Sequence, residues 1–412
     1  MGSSSADTTA AAAAAAPPHK DVWFHIKYWG YILPVAYLAS IVYVLVPLSG
    51  VFVTVEDYNI DECVKMEGPS DFKYCEDFVL SNEPGVAYVS CDPVRIQYND
   101  IMGINKLTPG EAVPAGAIWK VNYAETPASI DKLNMQIQSN ISATFHPLGV
   151  ALDVRPDTNE KTLVAINKPH HEQPSVEFFG VDDEQLSLIH KHTVQHPKIY
   201  SPNSIHVIQD ARLRSQDGIP SFFFSNDHYF VHPILRQVEA YFFHWSNVGF
   251  YNAVTGQVEK GVDGLYFANG VSGTDHVLFI AETNKRSVKQ YRIVTTMSSN
   301  GVPHVHLDHV AEAKFNMAVD NLHYQAEKEL LVIGGHPKPL ELIKYIAAAD
   351  PSATAKPPSQ VDVWDIKTGE TKTLIQDIGS LFGTSSTGAL DVVNSKLVVS
   401  GLYEEGLLVC DI

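Results

Sequence analysis

Asn269-Gly-Val-Ser-Gly-Thr-Asp-His-Val277-Leu-Phe-Ile-Ala-Glu282 is a short strand opening on a polar residue, a turn, and a second, wholly apolar strand closed by a polar one. An apolar run of this length, rich in β-branched and aromatic residues and bounded by turn formers, reads as a strand buried on both faces. The same unit recurs along the chain. Its second strand reappears as Gly85–Ser90, Thr162–Asn167, Ser221–Asn226, Leu330–Gly335 and Leu397–Leu402. The openings before these runs are Glu76-Asp77, Leu148-Gly149-Val150, Asn203-Ser204, Asp320-Asn321 and Thr387-Gly388. Six strand-turn-strand units at a spacing of roughly 60 residues, without long amphipathic helical windows, predict a six-bladed β-propeller. A β-sandwich would lack the long period, and a solenoid would normally have shorter repeats.

Working outward to the N-terminus, Tyr28 to Val55 contains no Asp, Glu, Lys or Arg, longer than the roughly 20 residues a spanning helix needs. The sequence therefore predicts a tail over 1–27, a transmembrane signal anchor over 28–55, and a propeller ectodomain over 56–412. Pro34 and Pro47 favour a bend or an early end. Lys20 and Lys27 precede the segment, while Glu56, Asp57, Asp61 and Glu62 follow it. That asymmetry predicts a cytosolic N-terminus and a lumenal or extracellular domain. A cleaved signal peptide is the alternative, although the polar leader is long for one.

The net charge of −18 excludes nucleic acid as a natural partner. All four cysteines lie beyond the hydrophobic segment, where disulfides persist. Cys63 opens the domain and Cys410 nearly ends it, so a Cys63–Cys410 bridge would lock the seam of a closed propeller. Cys75 and Cys91 flank an expected hairpin; a second bridge and two free thiols both remain open. Asn140-Ile-Ser142 is an acceptor sequence for an N-glycan.

The first strands of a propeller converge on its axis, so their opening residues would meet although far apart in sequence. The set is Glu76, Asp77, Asn203, Asn269, Asp320 and Asn321, all oxygen donors. Hard oxygen ligands in that number suit Ca²⁺ rather than zinc. The competing reading is that Asn and Asp cap turns at strand entries.

Cys75-Glu-Asp-Phe78, Ser225-Asn-Asp-His-Tyr-Phe230, Phe267-Ala-Asn-Gly270, Val319-Asp-Asn-Leu322 and Gly335-His-Pro337 resemble segments of the paraoxonase/arylesterase family, as does the placement of Cys63 and Cys410. The resemblance runs with gaps from about residue 60 to the end. It implies a six-bladed propeller with two axial calcium ions, an N-terminal hydrophobic anchor, and hydrolysis of small hydrophobic lactones and aryl esters. It implies that Glu76, Asn203, Asn269, Asp320 and Asn321 hold the catalytic calcium. Asp77 and the Val150 carbonyl match ligands of a second, structural ion. There are departures: Ser204 stands where the family has Asp, and Leu148 and Lys168 stand where it has a histidine pair. His146, two residues from Leu148 on the same strand face, and His170 and His171, just past Lys168, offer a shifted dyad.

The expected catalytic residues are His146, Asp320 and His336, with Glu76 a further proton acceptor and His228 in the pocket wall. No Gly-x-Ser-x-Gly elbow, His-Glu-x-x-His or phosphate-cradling glycine loop is present, which removes the commonest other hydrolase and nucleotide chemistries. Two rivals stand beside calcium-dependent hydrolysis: a non-hydrolytic cyclase or lyase of secondary metabolism, and a non-catalytic binding propeller.

Overall fold

The computed structural model describes residues 20–412, apart from 108–112, 138–140, 142–143, 156, 171 and 349. The chain divides into two compact units at Pro47/Leu48. The first contains most of helix α1, Lys20–Leu48. Within it Lys27–Leu48, with a mean hydropathy of 2.0, is long and apolar enough to cross a membrane. Asn140 and Ser142 of the glycan acceptor lie outside the described residues.

The second unit is the expected six-bladed β-propeller. Blades one to five begin on the innermost strands Cys75–Leu80, Pro147–Val154, Pro202–Val207, Ala268–Gly273 and Ala318–Gln325; each of these sheets runs outward by antiparallel pairing. Blade two gains a fifth strand, Asn134–Gln136, paired in parallel on its outer edge. Blade six takes three strands from the C-terminus, beginning with Ser385–Asp391, and its outermost strand, Cys63–Met66, from the start of the domain. The innermost strands touch one another in a closed ring.

The wholly apolar runs follow from this geometry. A blade is covered on both faces, so successive side chains of one strand enter different cores. Phe222 and Phe224 pack into the cluster shared with blade two, whereas Phe223 packs into that shared with blade four. Leu278 and Ile280 join blade three, and Phe279 and Ala281 join blade five. Burying each such side chain contributes about 1.5–3 kcal/mol.

The seam closes as expected. Cys63 pairs in register with Cys410 and is disulfide-bonded to it, with Cα atoms 3.9 Å apart. Cys75 and Cys91 are also bonded, which settles the alternative left open by the sequence. Two short helices depart from the strand-only reading: α2, Pro233–Phe242, and α3, Pro339–Ala347. Each starts with proline, whose fixed φ suits a first helical turn. Each follows a histidine-bearing segment, Asp227-His228 and His336 respectively.

Candidate metal and catalytic site

Every innermost strand carries one residue more than its partner near its start. Glu76 is the surplus between the pairs Cys75–Cys91 and Asp77–Ser90. Leu148-Gly149, Asn203-Ser204, Asn269-Gly270 and Asp320-Asn321 occupy the same place in blades two to five. In blade six the surplus residue is Ser386, one position before the Thr387-Gly388 expected from the sequence. Such β-bulges re-aim side chains, and here they turn polar residues inward where the strands converge. Two glycines are required by the crowding. A Cβ on Gly149 would lie 2.5 Å from the Asn203 carbonyl oxygen, and one on Gly270 2.6 Å from that of Asp320.

Three carboxamides are oriented alike. Asn269 donates through Nδ2 to Asp320 Oδ1 at 2.6 Å and to Thr283 Oγ1 at 3.1 Å. Asn321 donates to Glu76 Oε1 at 3.0 Å, and Asn203 to Asp227 Oδ2 at 3.3 Å. In each case the nitrogen is engaged by protein while the oxygen is buried without a partner, and Glu76 Oε2 is a fourth such oxygen. Asp320 completes the set, its Oδ2 3.0 Å from His336 Nε2.

Burial pushes the Glu76 carboxyl well above the usual carboxylate range, and Asp77 and Asp320 push the same way. Leaving a buried acceptor unsatisfied costs about 1–3 kcal/mol, so four together form a cradle in want of a donor or a cation. A divalent cation would satisfy all four and oppose the burial and neighbouring carboxylates that push Glu76 up. The set therefore fits one calcium ion. Among the described residues no group of three or more His, Cys, Asp or Glu has a metal-holding arrangement; the converging oxygens are mostly carboxamide.

Around Asp77 the accounting differs. Its Oδ1 accepts from the Phe78 amide and the Thr387 hydroxyl, and its Oδ2 from the Val150 amide. Ser204 Oγ accepts from the Val271 amide. These residues leave no orphaned side-chain oxygen, in contrast to the ring.

Beside the ring lies a crevice of about 30 Å³ lined by Asp92, Arg95, His146, Leu148, Lys168 and His170, among others. His146 Nδ1 stands 3.0 Å from Asp92 Oδ2, and its ring stacks on His170 with centroids 4.0 Å apart. The shifted pair is thus in contact through His170; His171 lies outside the described residues. His228 Nδ1 pairs with Asp227 Oδ1 at 2.9 Å. His336 keeps a buried Nδ1 without a partner. Sequence reasoning missed Asp92 and Asp227 as partners. Asp227 sits inside a quoted motif, whereas nothing around Asp92 sets it apart.

The profile of the arylesterase family matches residues 84–411. Serum paraoxonase/arylesterase 2 of Bos taurus is 26% identical over 74% of this chain and 78% of its own length. Serum paraoxonase/arylesterase 1 of Homo sapiens is 24% identical, covering 78% and 82%. Serum paraoxonase/lactonase 3 of Oryctolagus cuniculus is 25% identical, covering 70% and 73%. With four-fifths of its length inside the family profile and its fold a six-bladed propeller, this chain belongs to the arylesterase family.

Proposed function

We propose that the chain is a calcium-dependent hydrolase of lactones or aryl esters, held at a membrane by α1. The observation that carries this reading is the convergence of four buried, unpartnered oxygens from Glu76, Asn203, Asn269 and Asn321, with Asp320 beside them. Calcium held there would supply Lewis acidity to an ester carbonyl and to the oxyanion that develops on it.

The chain's own groups then have assignable roles. Asp92 accepts from His146 Nδ1–H, which leaves Nε2 as the basic nitrogen, the arrangement of a general base oriented by a carboxylate. His336 holds Asp320 through Nε2 and acts as a positioning residue. Family membership supports ester or lactone substrates. The charge asymmetry around α1 supports a cytosolic N-terminus, and the two disulfides support an oxidising compartment for the propeller. A glycan at Asn140 would suit that placement.

Leu148 and Lys168, at positions where the family has histidines, favour one second reading: a propeller enzyme of different, non-hydrolytic chemistry. A panel of lactones and aryl esters, assayed with the full chain before and after chelation and with its metal content measured, separates the two. Calcium-dependent turnover of any member supports hydrolysis. One equivalent of calcium with no turnover across the panel overturns the hydrolase assignment and leaves the ion site standing.

A further inference from the structure

Lys168 is the unusual group near the ring. Its Nζ is buried and makes no hydrogen bond; it forms a long ion pair with Asp227 Oδ2 at 3.6 Å, beyond hydrogen-bond length, and Asp100 is a second carboxylate acting on it. Asp227 is already engaged by Ser201 Oγ at 2.5 Å, His228 Nδ1 at 2.9 Å and Asn203 Nδ2 at 3.3 Å. Burial holds the Lys168 ammonium below the usual lysine range, with Asp227 working against it.

Two further cations flank it. Arg95 donates to the carbonyls of Tyr74 and Pro147. Arg236, from α2, donates to the carbonyls of Phe230, Val231 and Asp100. Among the described residues neither arginine forms an ion pair, yet both are buried. The crevice's own carboxylates are spoken for: Asp92 faces His146, and Asp100 Oδ1 accepts from Tyr98. A protein of net charge −18 thus lines this crevice with Arg95 and Lys168, sets Arg236 close enough to act on Lys168, and leaves the Lys168 ammonium without a hydrogen-bond acceptor. A buried ammonium whose N–H donors are unsatisfied is costly until an acceptor arrives. The crevice of about 30 Å³ has room for roughly two water-sized groups, the size of one carboxylate.

We propose that Lys168 seats a carboxylate carried by the substrate, so that the preferred esters or lactones are anionic rather than wholly apolar. This rests on the hydrolytic reading for its substrate class but not for the anion seat itself. Lys168 is then a specificity-determining residue: it takes the remote charge while the ester faces the ring.

Two measurements on the full chain in detergent test it. The first compares p-nitrophenyl pentanoate with mono-p-nitrophenyl glutarate, in which a carboxylate replaces the terminal methyl. The wild type should favour the glutarate in kcat/KM. Lys168→Met should cost the glutarate about 10–100-fold more than the pentanoate, mostly in KM, and Lys168→Arg should restore much of the difference. The second titrates benzoate by calorimetry, with no turnover required, and expects binding weakened about tenfold or more in Lys168→Met. Benzoate binding that depends on Lys168, with neither ester cleaved, overturns the hydrolase assignment and keeps the anion seat. Equal losses on both esters, or benzoate affinity undiminished in a Lys168→Met protein that melts like the wild type, overturns the seat. Should Lys168→Met not fold, wild-type preference for the neutral ester and absence of benzoate binding decide against it.

Discussion

Glu76 and Asp77 are neighbours on one bulge, both buried, both carboxylates, and their surroundings are opposite. Asp77 meets three protein donors, two of them main-chain amides, and both its oxygens are engaged. Glu76 meets one carboxamide through Oε1, and its Oε2 is buried without a partner, as are the carboxamide oxygens of Asn203, Asn269 and Asn321. Burial pushes Asp77 up to about 7 against those hydrogen bonds, and pushes Glu76 well above the usual carboxylate range. The same residue chemistry thus serves two ends. One region is complete as folded and ties blades one, two and six together; the other keeps four buried oxygens without a partner. What separates them is which side of the strand each side chain leaves.

The largest way to break that contrast is to remove an oxygen from the open region. Asn269→Ala and Glu76→Ala should each lose bound calcium and lower ester or lactone turnover by about 100-fold or more. Metal analysis alongside rates checks this. In chelator, stability should fall by about 1–3 kcal/mol, because each truncation also forfeits the hydrogen bonds of Asn269 Nδ2 or Glu76 Oε1. Turnover surviving without calcium would deny the ring its role.

Asp77→Ala should do the reverse. It strands the Phe78 and Val150 amides, while the Thr387 hydroxyl keeps the Glu76 carbonyl, at a cost of about 2–4 kcal/mol, read by denaturant unfolding. The surviving folded protein should still bind one equivalent of calcium. Ser204→Asp probes the same boundary from the other side. A second carboxylate near Asp77 should raise calcium content by one equivalent and make melting calcium-dependent, lowering stability in chelator by about 1–2 kcal/mol. An unchanged metal content would show that the Asp77 hydrogen bonds hold against the added charge.

The fold was legible in sequence because each blade is buried on both faces, so runs such as Phe222-Phe-Phe224 carry no polar interruption. The ring was legible because bulged positions in four of six blades hold Glu, Asp or Asn. Blade six was read one residue late, since Ser386 and Thr387 are chemically alike and a bulge leaves no mark of its own. The helices α2 and α3 were missed because each is about three turns or less, held by tertiary packing more than by intrinsic helix propensity. The pairing of His146 with Asp92 joins blade two to the end of a hairpin in blade one. Such a contact is set by how blades stack, and no local pattern encodes it.

A third buried carboxylate, away from the ring, sharpens the comparison by a smaller effect. Asp362, on the third strand of blade five, accepts from Gln360 Nε2 at 2.9 and 3.0 Å. Burial pushes it up to about 6 against the side chains of Gln360 and Thr373, and unlike Asp77 it accepts from no main-chain amide among the described residues. The folded state therefore holds its proton at pH values where the unfolded chain, near 3.8, has released it. Its contribution favours folding below about pH 4 and is lost as pH rises to about 6. Asp362→Asn, which keeps one acceptor for Gln360, should flatten stability over that window and gain on the order of 1 kcal/mol above it. Denaturant unfolding at pH 5 and pH 8 reads both. A larger gain at pH 5 than at pH 8 would reverse the sign and show that Asp362 is charged throughout, its neighbours doing for it what the Val150 and Phe78 amides do for Asp77.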